Sequence, residues 1–395
     1  MESKNVAAVK SLGPVVAGLV FLATVNMRPA ITSVGPLLDE ISFSFGLSPT
    51  LLGLLGSMPL LMFALISPAS AFFSSKLGID RVMFIALLAI ASGIIIRSYL
   101  GLPGLWIGVA LATAAIAVAN VLVPALVRRD FPKHVSLATG VYSATMGLGA
   151  SAASALAVPI AENKGWQFSL AIWAVPAIVV ASLWLLRINA STPQRVIEAR
   201  VKVSVWRTPA AWWLTLFMGV QSASFYFMVT WLPAIQVAAG KTPTEAGITL
   251  SGLQIVGIIA GLLLPYTMRG KASFVPATLT ASIPLMIGFA GLVMFPNLGE
   301  VWALILGVGA GSSLVVSLTL IATRGSTELG TAQLSGMVQS IGYLIAALVP
   351  VAAGILKELT GGWEAPLIMM LCIATLQTSI AVVVGRGRTT SKFTT

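Results

Sequence analysis

Twelve apolar stretches of membrane-spanning length follow one another along the 395-residue chain, near 12–38, 50–74, 82–100, 104–127, 135–161, 166–187, 210–238, 245–267, 274–295, 300–322, 334–356 and 364–385. Roughly 20 apolar residues in a helix cross a bilayer core. Hydrocarbon offers no partner for a backbone N–H or C=O, so each stretch must satisfy its own backbone as a helix. The chain is therefore expected to be an all-α polytopic membrane protein with twelve transmembrane helices. Composition agrees: 9% of residues are charged and 57% hydrophobic, whereas soluble domains carry roughly 25% charged residues. The first ten residues are polar, and the apolar run after them has no small-residue cleavage site, so no signal peptide is expected. The one cysteine, Cys372, sits in the last stretch and the one histidine, His134, in a basic loop. Disulfides, histidine-rich metal sites and most nucleophile triads are thereby excluded, and no metal, cofactor or enzymatic activity is expected.

A net charge of +11 invites a nucleic-acid reading, but its distribution points elsewhere. Of the 23 Lys and Arg residues, 18 fall in the two tails and the loops that follow even-numbered spans, and four (Arg97, Lys164, Lys241 and Lys357) fall on the opposite side. The positive-inside rule then places both termini in the cytoplasm. Basicity sets orientation, and no nucleic-acid partner is needed. The remaining cation, Arg28, lies deep inside the first span, beside Pro29.

The longest hydrophilic stretch, 188–208, divides the spans six and six and reads as a cytoplasmic linker between units 1–187 and 209–395. The halves echo each other. Arg128 and Gly140 lie 196 residues before Arg324 and Gly336, while Trp166 and Pro36 lie 197 before Trp363 and Pro233. Such a parallel repeat predicts two pseudo-symmetric six-helix bundles related by an axis along the membrane normal.

Twelve spans, a central loop and this repeat resemble the major facilitator superfamily. A narrower resemblance, to the cyanate porter group with its cyanate and 2-nitroimidazole transporters, rests on three segments. These are Asn26 to Ile41 (Asn-Met-Arg-Pro-Ala-Ile-Thr-Ser-Val-Gly-Pro-Leu-Leu-Asp-Glu-Ile), Gly219-Val220-Gln221-Ser222 with Phe225-Tyr226, and Trp231-Leu232-Pro233. Ala246-Gly247 and Pro59 fit as well. General superfamily motifs are altered. Aligned on Gly78, the loop after the second span has Ser75 where a gating Asp usually stands, although Asp80 and Arg81 are close by. Leu105 to Val127 carries no arginine, and Gly147-Leu148-Gly149-Ala150 replaces the glycine-proline signature of drug/proton antiporters. The resemblance implies a bacterial inner-membrane transporter, acting as a monomer on a small polar or anionic solute. Proton-coupled efflux of drugs or metabolites is the alternative, and a non-transporting receptor is disfavoured because the loops are short.

Candidate binding residues follow from polarity in hydrocarbon. Arg28 offers five donors in a planar fork that stays charged when poorly solvated, and Pro29 is expected to kink the helix and free carbonyls. The competing reading makes Arg28 architectural, paired with helix dipoles or carbonyls. Asn26 lies about 200° round an ideal helix from Arg28, so the two share a cavity only if the proline distorts the turn. Ser222, Tyr226 and Thr230 recur every fourth residue on the seventh span with Gln221 beside them, and the choice there is between substrate contact and interhelical bonding. Asn120, Tyr142 and Gln339 are isolated polar residues on spans that face the cavity in this fold, and Trp231 is a candidate for the outer gate. All twelve acids fall in tails, loops or helix ends. No carboxylate is thus expected in the cavity to carry a coupling proton.

Overall fold

A computed structural model describes residues 13–188, 205–268, 274–324 and 328–386. Most of the linker 188–208 lies outside the described residues. The spans are numbered in chain order. The first, α1, is built from Gly13–Val25, Pro29–Thr32, a 3-10 turn at Gly35–Leu37 and Leu38–Phe45. Next come α2 (Pro49–Ile66, continued by Ser67–Ala69 and Ser70–Leu77), α3 (Ile79–Tyr99), α4 (Gly101–Asp130), α5 (Val135–Lys164) and α6 (Trp166–Ala171 and Ala174–Ile188). The second set is α7 (Pro209–Ala238), α8 (Pro243–Met268), α9 (Val275–Met294), α10 (Gly299–Arg324), α11 (Glu328–Thr360) and α12 (Glu364–Arg386).

Eleven of these are long and apolar enough to cross a membrane. The exception is α7, which has the length, at 30 residues, but carries Thr215, Gln221, Ser222, Ser224, Thr230 and Gln236, all buried. A helix that faces protein on most sides has no need of an apolar surface, and α7 packs against α2, α8, α10, α11 and α12.

The repeat reappears in the turns. Gly46 and Gly240 follow α1 and α7 with φ of 64° and 93°, and Gly165 and Gly361 end α5 and α11 with φ of 82° and 71°. Only glycine adopts this conformation without a steric penalty, so the same turn chemistry closes the same connection in both halves. These four connections mark one end of the bundle, here the distal end; Ile188, where α6 ends, and Pro209, where α7 begins, lie at the opposite, proximal end.

Two helix pairs, α2 with α11 and α5 with α8, join the first six spans to the last six. Their distal halves meet at backbone distance. A Cβ on Gly53 would come within 2.9 Å of the Val351 Cα, and one on Gly354 within 2.9 Å of the Pro49 carbonyl carbon. Ser57 donates to the Ala347 carbonyl (2.6 Å) and Gln254 to the Ser154 hydroxyl (2.8 Å), while the Ser151 and Ser251 hydroxyls lie 2.6 Å apart. Trp231, only 2% exposed, donates to the Pro350 carbonyl (3.0 Å) and lies tilted against Trp363 at 5.2 Å, contacts that stay within the last six spans and tie α7 to α11 and α12. Within the last six spans, a Cβ on Gly311 would come within 2.6 Å of the Gly257 Cα, so small residues let α8 and α10 touch closely.

The proximal end of the first six spans holds an ion network that departs from the sequence reading, where its members count as loop charges. Asp80, 3% exposed, accepts a two-pronged pair from Arg129 (2.6 and 3.0 Å) and a further bond from Arg187. Arg129 also reaches Asp130 (2.9 Å), as does Arg187. Trp184 donates to the Asp80 carbonyl (3.0 Å) and lies under the Arg187 guanidinium at 4.8 Å. The network ties α3, α4 and α6 together. Asp80→Ala removes the acceptor that both guanidiniums share and is expected to destabilise the protein by about 3 kcal/mol, more than Asp130→Ala does. Thermal unfolding in detergent at fixed protein concentration measures the difference.

Candidate functional site

The site begins with a failure of helical hydrogen bonding. The α1 helix stops at Val25, residues Asn26 to Arg28 form a turn, and Pro29 occupies the first position of a new short helix. The turn is held by three-residue bonds, Asn26 N–H to the Ala23 carbonyl (3.1 Å) and Met27 N–H to the Thr24 carbonyl (3.2 Å). Pro29 fits there because an initial helical position needs no N–H. The break therefore precedes the proline, a stronger interruption than the kink that the sequence predicts.

Backbone groups at a break in hydrocarbon must be met by protein. The Arg28 carbonyl accepts from the Ile31 and Thr32 N–H groups (2.9 and 3.0 Å) and the Pro29 carbonyl from the Ser33 N–H (3.1 Å), and side chains add further bonds. Thr32 donates to the Arg28 carbonyl (3.2 Å) and across to the Ala150 carbonyl of α5 (3.0 Å), and Ser154 returns a bond to the Thr32 carbonyl (3.2 Å). Ser33 donates to the Pro29 carbonyl (2.6 Å). The Ala30 carbonyl accepts from the Arg97 guanidinium of α3. Arg97 is 1% exposed and forms no ion pair among the described residues. This corrects the sequence reading on two counts. Arg97 is no outer-side charge, and Arg28 is not the sole cation inside the bundle.

Arg28 projects from the break into an aromatic box. Its guanidinium stands 5.1 Å from the centroid of Phe225, and Nε points at the Met146 sulfur at 3.3 Å. Tyr226 packs edge-on against Phe225, with ring centroids 5.3 Å apart. Phe63 packs edge-on against two tyrosines, 6.4 Å from Tyr226 and 5.5 Å from Tyr343. One guanidinium nitrogen of Arg28 and the Tyr226 hydroxyl are buried without a hydrogen-bond partner. The box draws on α1, α2 and α5 from the first half and on α7 and α11 from the second. Cation–π attraction offsets part of the cost of holding the charge away from water, and it leaves one guanidinium nitrogen buried without a partner.

The other candidates divide. Tyr226 lies in the box with Arg28. Asn26 is buried with its amide turned back to the Leu22 carbonyl (2.9 Å) and its side-chain oxygen unpartnered; the distorted turn it needed is present, but no contact links it to Arg28. The Gln221 amide nitrogen donates within its own helix, to the Ser222 hydroxyl (2.7 Å) and the Met218 sulfur (3.2 Å). Gln339 donates to the Ser335 hydroxyl one turn back (2.7 Å). Tyr142 is half-buried on α5, where its carbonyl accepts from Thr145 (3.0 Å), which in turn meets Thr24 of α1 (2.8 Å). Asn120 is half-buried on α4. Tyr343 was missed. A signal for it existed: all five tyrosines fall inside spans, but Tyr99 and Tyr266 sit at span ends, whereas Tyr343, like Tyr142 and Tyr226, lies well within one.

Distal to Arg28, a cavity of about 20 Å³ is lined by Ala30, Gly35, Pro59, Thr113 and Thr230 among others, room for a water molecule. Among the described residues no cluster of His, Cys, Asp and Glu is placed to hold a metal ion. Arg97→Met would take away the donor to the Ala30 carbonyl, and amide exchange at Ile31 and Thr32 is expected to quicken about tenfold through easier local opening. Hydrogen–deuterium exchange read by mass spectrometry checks this, with Arg28→Met expected to leave those amides unchanged.

Comparison with known proteins agrees with this architecture. Residues 20–350 match the model of the Major Facilitator Superfamily. The chain is 37% identical over 386 residues to the 2-nitroimidazole transporter of Escherichia coli (strain K12), covering 94% of this chain and 95% of that protein. It is 28% identical over 345 residues to the cyanate transport protein CynX of the same organism, covering 87% and 90%. Among solved structures, the D-xylose-proton symporter superposes with a TM-score of 0.76 at 12% identity, over 95% of this chain and 98% of that one, a likeness of fold alone. The chain is a membrane transporter protein of the Major Facilitator Superfamily, related to the 2-nitroimidazole and cyanate transporters.

Proposed function

We propose that this transporter moves a small polar or anionic solute, cyanate-like or nitroimidazole-like, across the bacterial inner membrane by alternating access. The observation that carries the reading is Arg28: a guanidinium inside the bilayer region, at a break in α1, with no carboxylate partner among the described residues and aromatic groups from both halves around it. An uncompensated charge in a membrane is costly and marks function. A planar, electron-rich solute suits both the fork of donors and the ring faces. The relatives' names, a 2-nitroimidazole transporter and a cyanate transport protein, favour the same class.

In this reading the solute is anchored by Arg28 and the Tyr226 hydroxyl, and Asn26, Asn120, Tyr142, Gln221 and Gln339 line its route. The halves 1–187 and 209–395, joined by the linker 188–208, rock about the box as separate units within a monomer. The excess of Lys and Arg in the tails and proximal loops supports cytoplasmic termini, and in this reading the distal end is periplasmic. With the distal halves of α2 and α11, and of α5 and α8, in contact, the structure is closed toward that side.

Ligand-dependent thermal stabilisation tests the anchor. A ligand at about 100 times its Kd stabilises the native state by about 2.7 kcal/mol. Cyanate, small carboxylates and nitroimidazoles are expected to stabilise the wild type. Arg28→Ala is expected to weaken their binding at least about tenfold, roughly 1.4 kcal/mol, while remaining folded, and Arg28→Lys to recover only part because a point charge replaces the fork. Equal stabilisation of wild type and Arg28→Ala by neutral or cationic compounds would make Arg28 architectural and favour efflux of drugs or metabolites.

A further inference from the structure

Two carboxylates reach across the distal seam between the halves, and the internal repeat relates them. Glu358, near the end of α11, accepts from both the backbone N–H (3.3 Å) and the hydroxyl (2.6 Å) of Thr50 at the start of α2. Glu162, near the end of α5, accepts from the hydroxyl of Thr244 at the start of α8 (3.4 Å). Glu162 and Glu358 are 196 residues apart, the spacing that also relates Arg128 to Arg324 and Gly140 to Gly336. Their partners follow Pro49 and Pro243, which open α2 and α8. In each case, the last turns of a helix in one half meet the first turn of a helix in the other.

The chemistry at these contacts is that of helix capping. A helix N-terminus presents unpaired N–H groups and a partial positive charge, so a carboxylate placed there is favourable. The N-cap residue of α2, Ser48, makes no capping bond with its side chain, and Glu358 supplies the acceptor from the other half. By contrast, α8 has its own reciprocal cap: Thr242 N–H donates to Glu245 (2.8 Å) and Glu245 N–H to the Thr242 hydroxyl (3.2 Å). Glu162 therefore adds only a single long bond there. Of the two contacts, the one at Glu358 contributes more. Neither carboxylate has a salt-bridge partner among the described residues, so both act on the seam alone.

We propose that Glu162 and Glu358 are a repeat-related pair of carboxylate latches that close the distal end of the transporter by capping α8 and α2 from the opposite half. They are positioning residues: they bias the balance between closed and open states without touching the solute. The inference rests on the alternating-access reading and on the assignment of the distal end to the periplasm.

The test is cysteine accessibility in intact cells, in a Cys372→Ser background. The reporter is Thr230→Cys, a position 4% exposed that lines the small cavity behind the seam, and the probe is a membrane-impermeant maleimide. With both latches removed (Glu162→Ala with Glu358→Ala), alkylation of the reporter is expected to quicken about tenfold through a shifted closed–open balance. Glu358→Ala alone should have the larger single effect. Thr50→Val, which removes only the hydroxyl donor, should act in the same direction, and Thr50→Ser should restore the parent rate. Glu300→Ala breaks the Lys241–Glu300 pair (2.6 Å), which lies within one half, and should leave the rate unchanged. The proposal is overturned if the double variant and Thr50→Val both react at the parent rate, or if Glu300→Ala speeds the reaction as much as the latch variants do. A Phe43→Cys control, at a distal position 93% exposed, separates the two premises. If it resists the probe in intact cells the orientation is wrong, and the same comparison is then decided in inside-out vesicles. Ligand binding at Arg28 is measured independently and stands or falls by itself.

Discussion

A helix can be interrupted inside hydrocarbon only if something else meets the backbone groups it exposes, and the rest of this structure is arranged around one such interruption. Between Val25 and Pro29 the helical ladder of α1 stops. The Arg28 and Pro29 carbonyls accept backbone N–H groups of the new helix together with the Thr32 and Ser33 hydroxyls, and the Ala30 carbonyl accepts from the Arg97 guanidinium. Thr32 also fastens the short segment to α5, which fastens it in return through Ser154. These contacts make the break a fixed geometry. Arg28 projects from that fixed turn into the aromatic box. Two arginines thus divide the work: Arg97 satisfies the backbone, while Arg28 keeps a buried nitrogen without a partner.

The box is assembled by the fold's pairing of halves. Phe63 and Tyr343 lie on α2 and α11, whose distal portions touch at glycines, and the same close approach brings their rings edge to face. The polar residues of the distal seam, Ser57, Ser151, Ser251 and Gln254, bond across it. Buried polar contacts of this kind are directional, so they define one closed arrangement instead of a range of sliding ones. On the proposed reading, what the solute encounters is set by how the two halves meet as much as by any one side chain.

Much of this was legible in the sequence. Span number and order follow from apolar length, and the repeat from polar landmarks at a common spacing, because both depend on residues close in sequence or periodic along it. Arg28 was visible since a charge in an apolar run stands out without any knowledge of neighbours. What escaped is contact between distant segments. Arg97, three residues from the end of its span, is indistinguishable in sequence from an interfacial arginine that extends to water; only its packing against the break in α1 shows that it points inward. Asp80 looks like a loop residue until α4 and α6 bring Arg129 and Arg187 to it. Gln221, an apparent partner for a solute, is already bonded to Ser222 on its own helix. Polar type alone does not reveal whether a side chain has spent its bonds.

The polarity of α7 has a consequence for how the protein is made. This helix falls short of the apolarity that the other eleven possess, and in the finished fold its polar face is covered chiefly by α11, with α8, α10 and α12 beside it. Every one of those neighbours lies later in the chain, so α7 leaves the ribosome before the helices that will shelter Gln221, Ser224 and Gln236 exist. Its polar residues weaken its own partitioning into lipid. Before α11 is made, the surface open to α7 is that of the first six helices, where the 3-10 turn of α1 and the α2 helix touch it. The order of synthesis thus favours a first half that is assembled early and serves as the surface on which the second half is built.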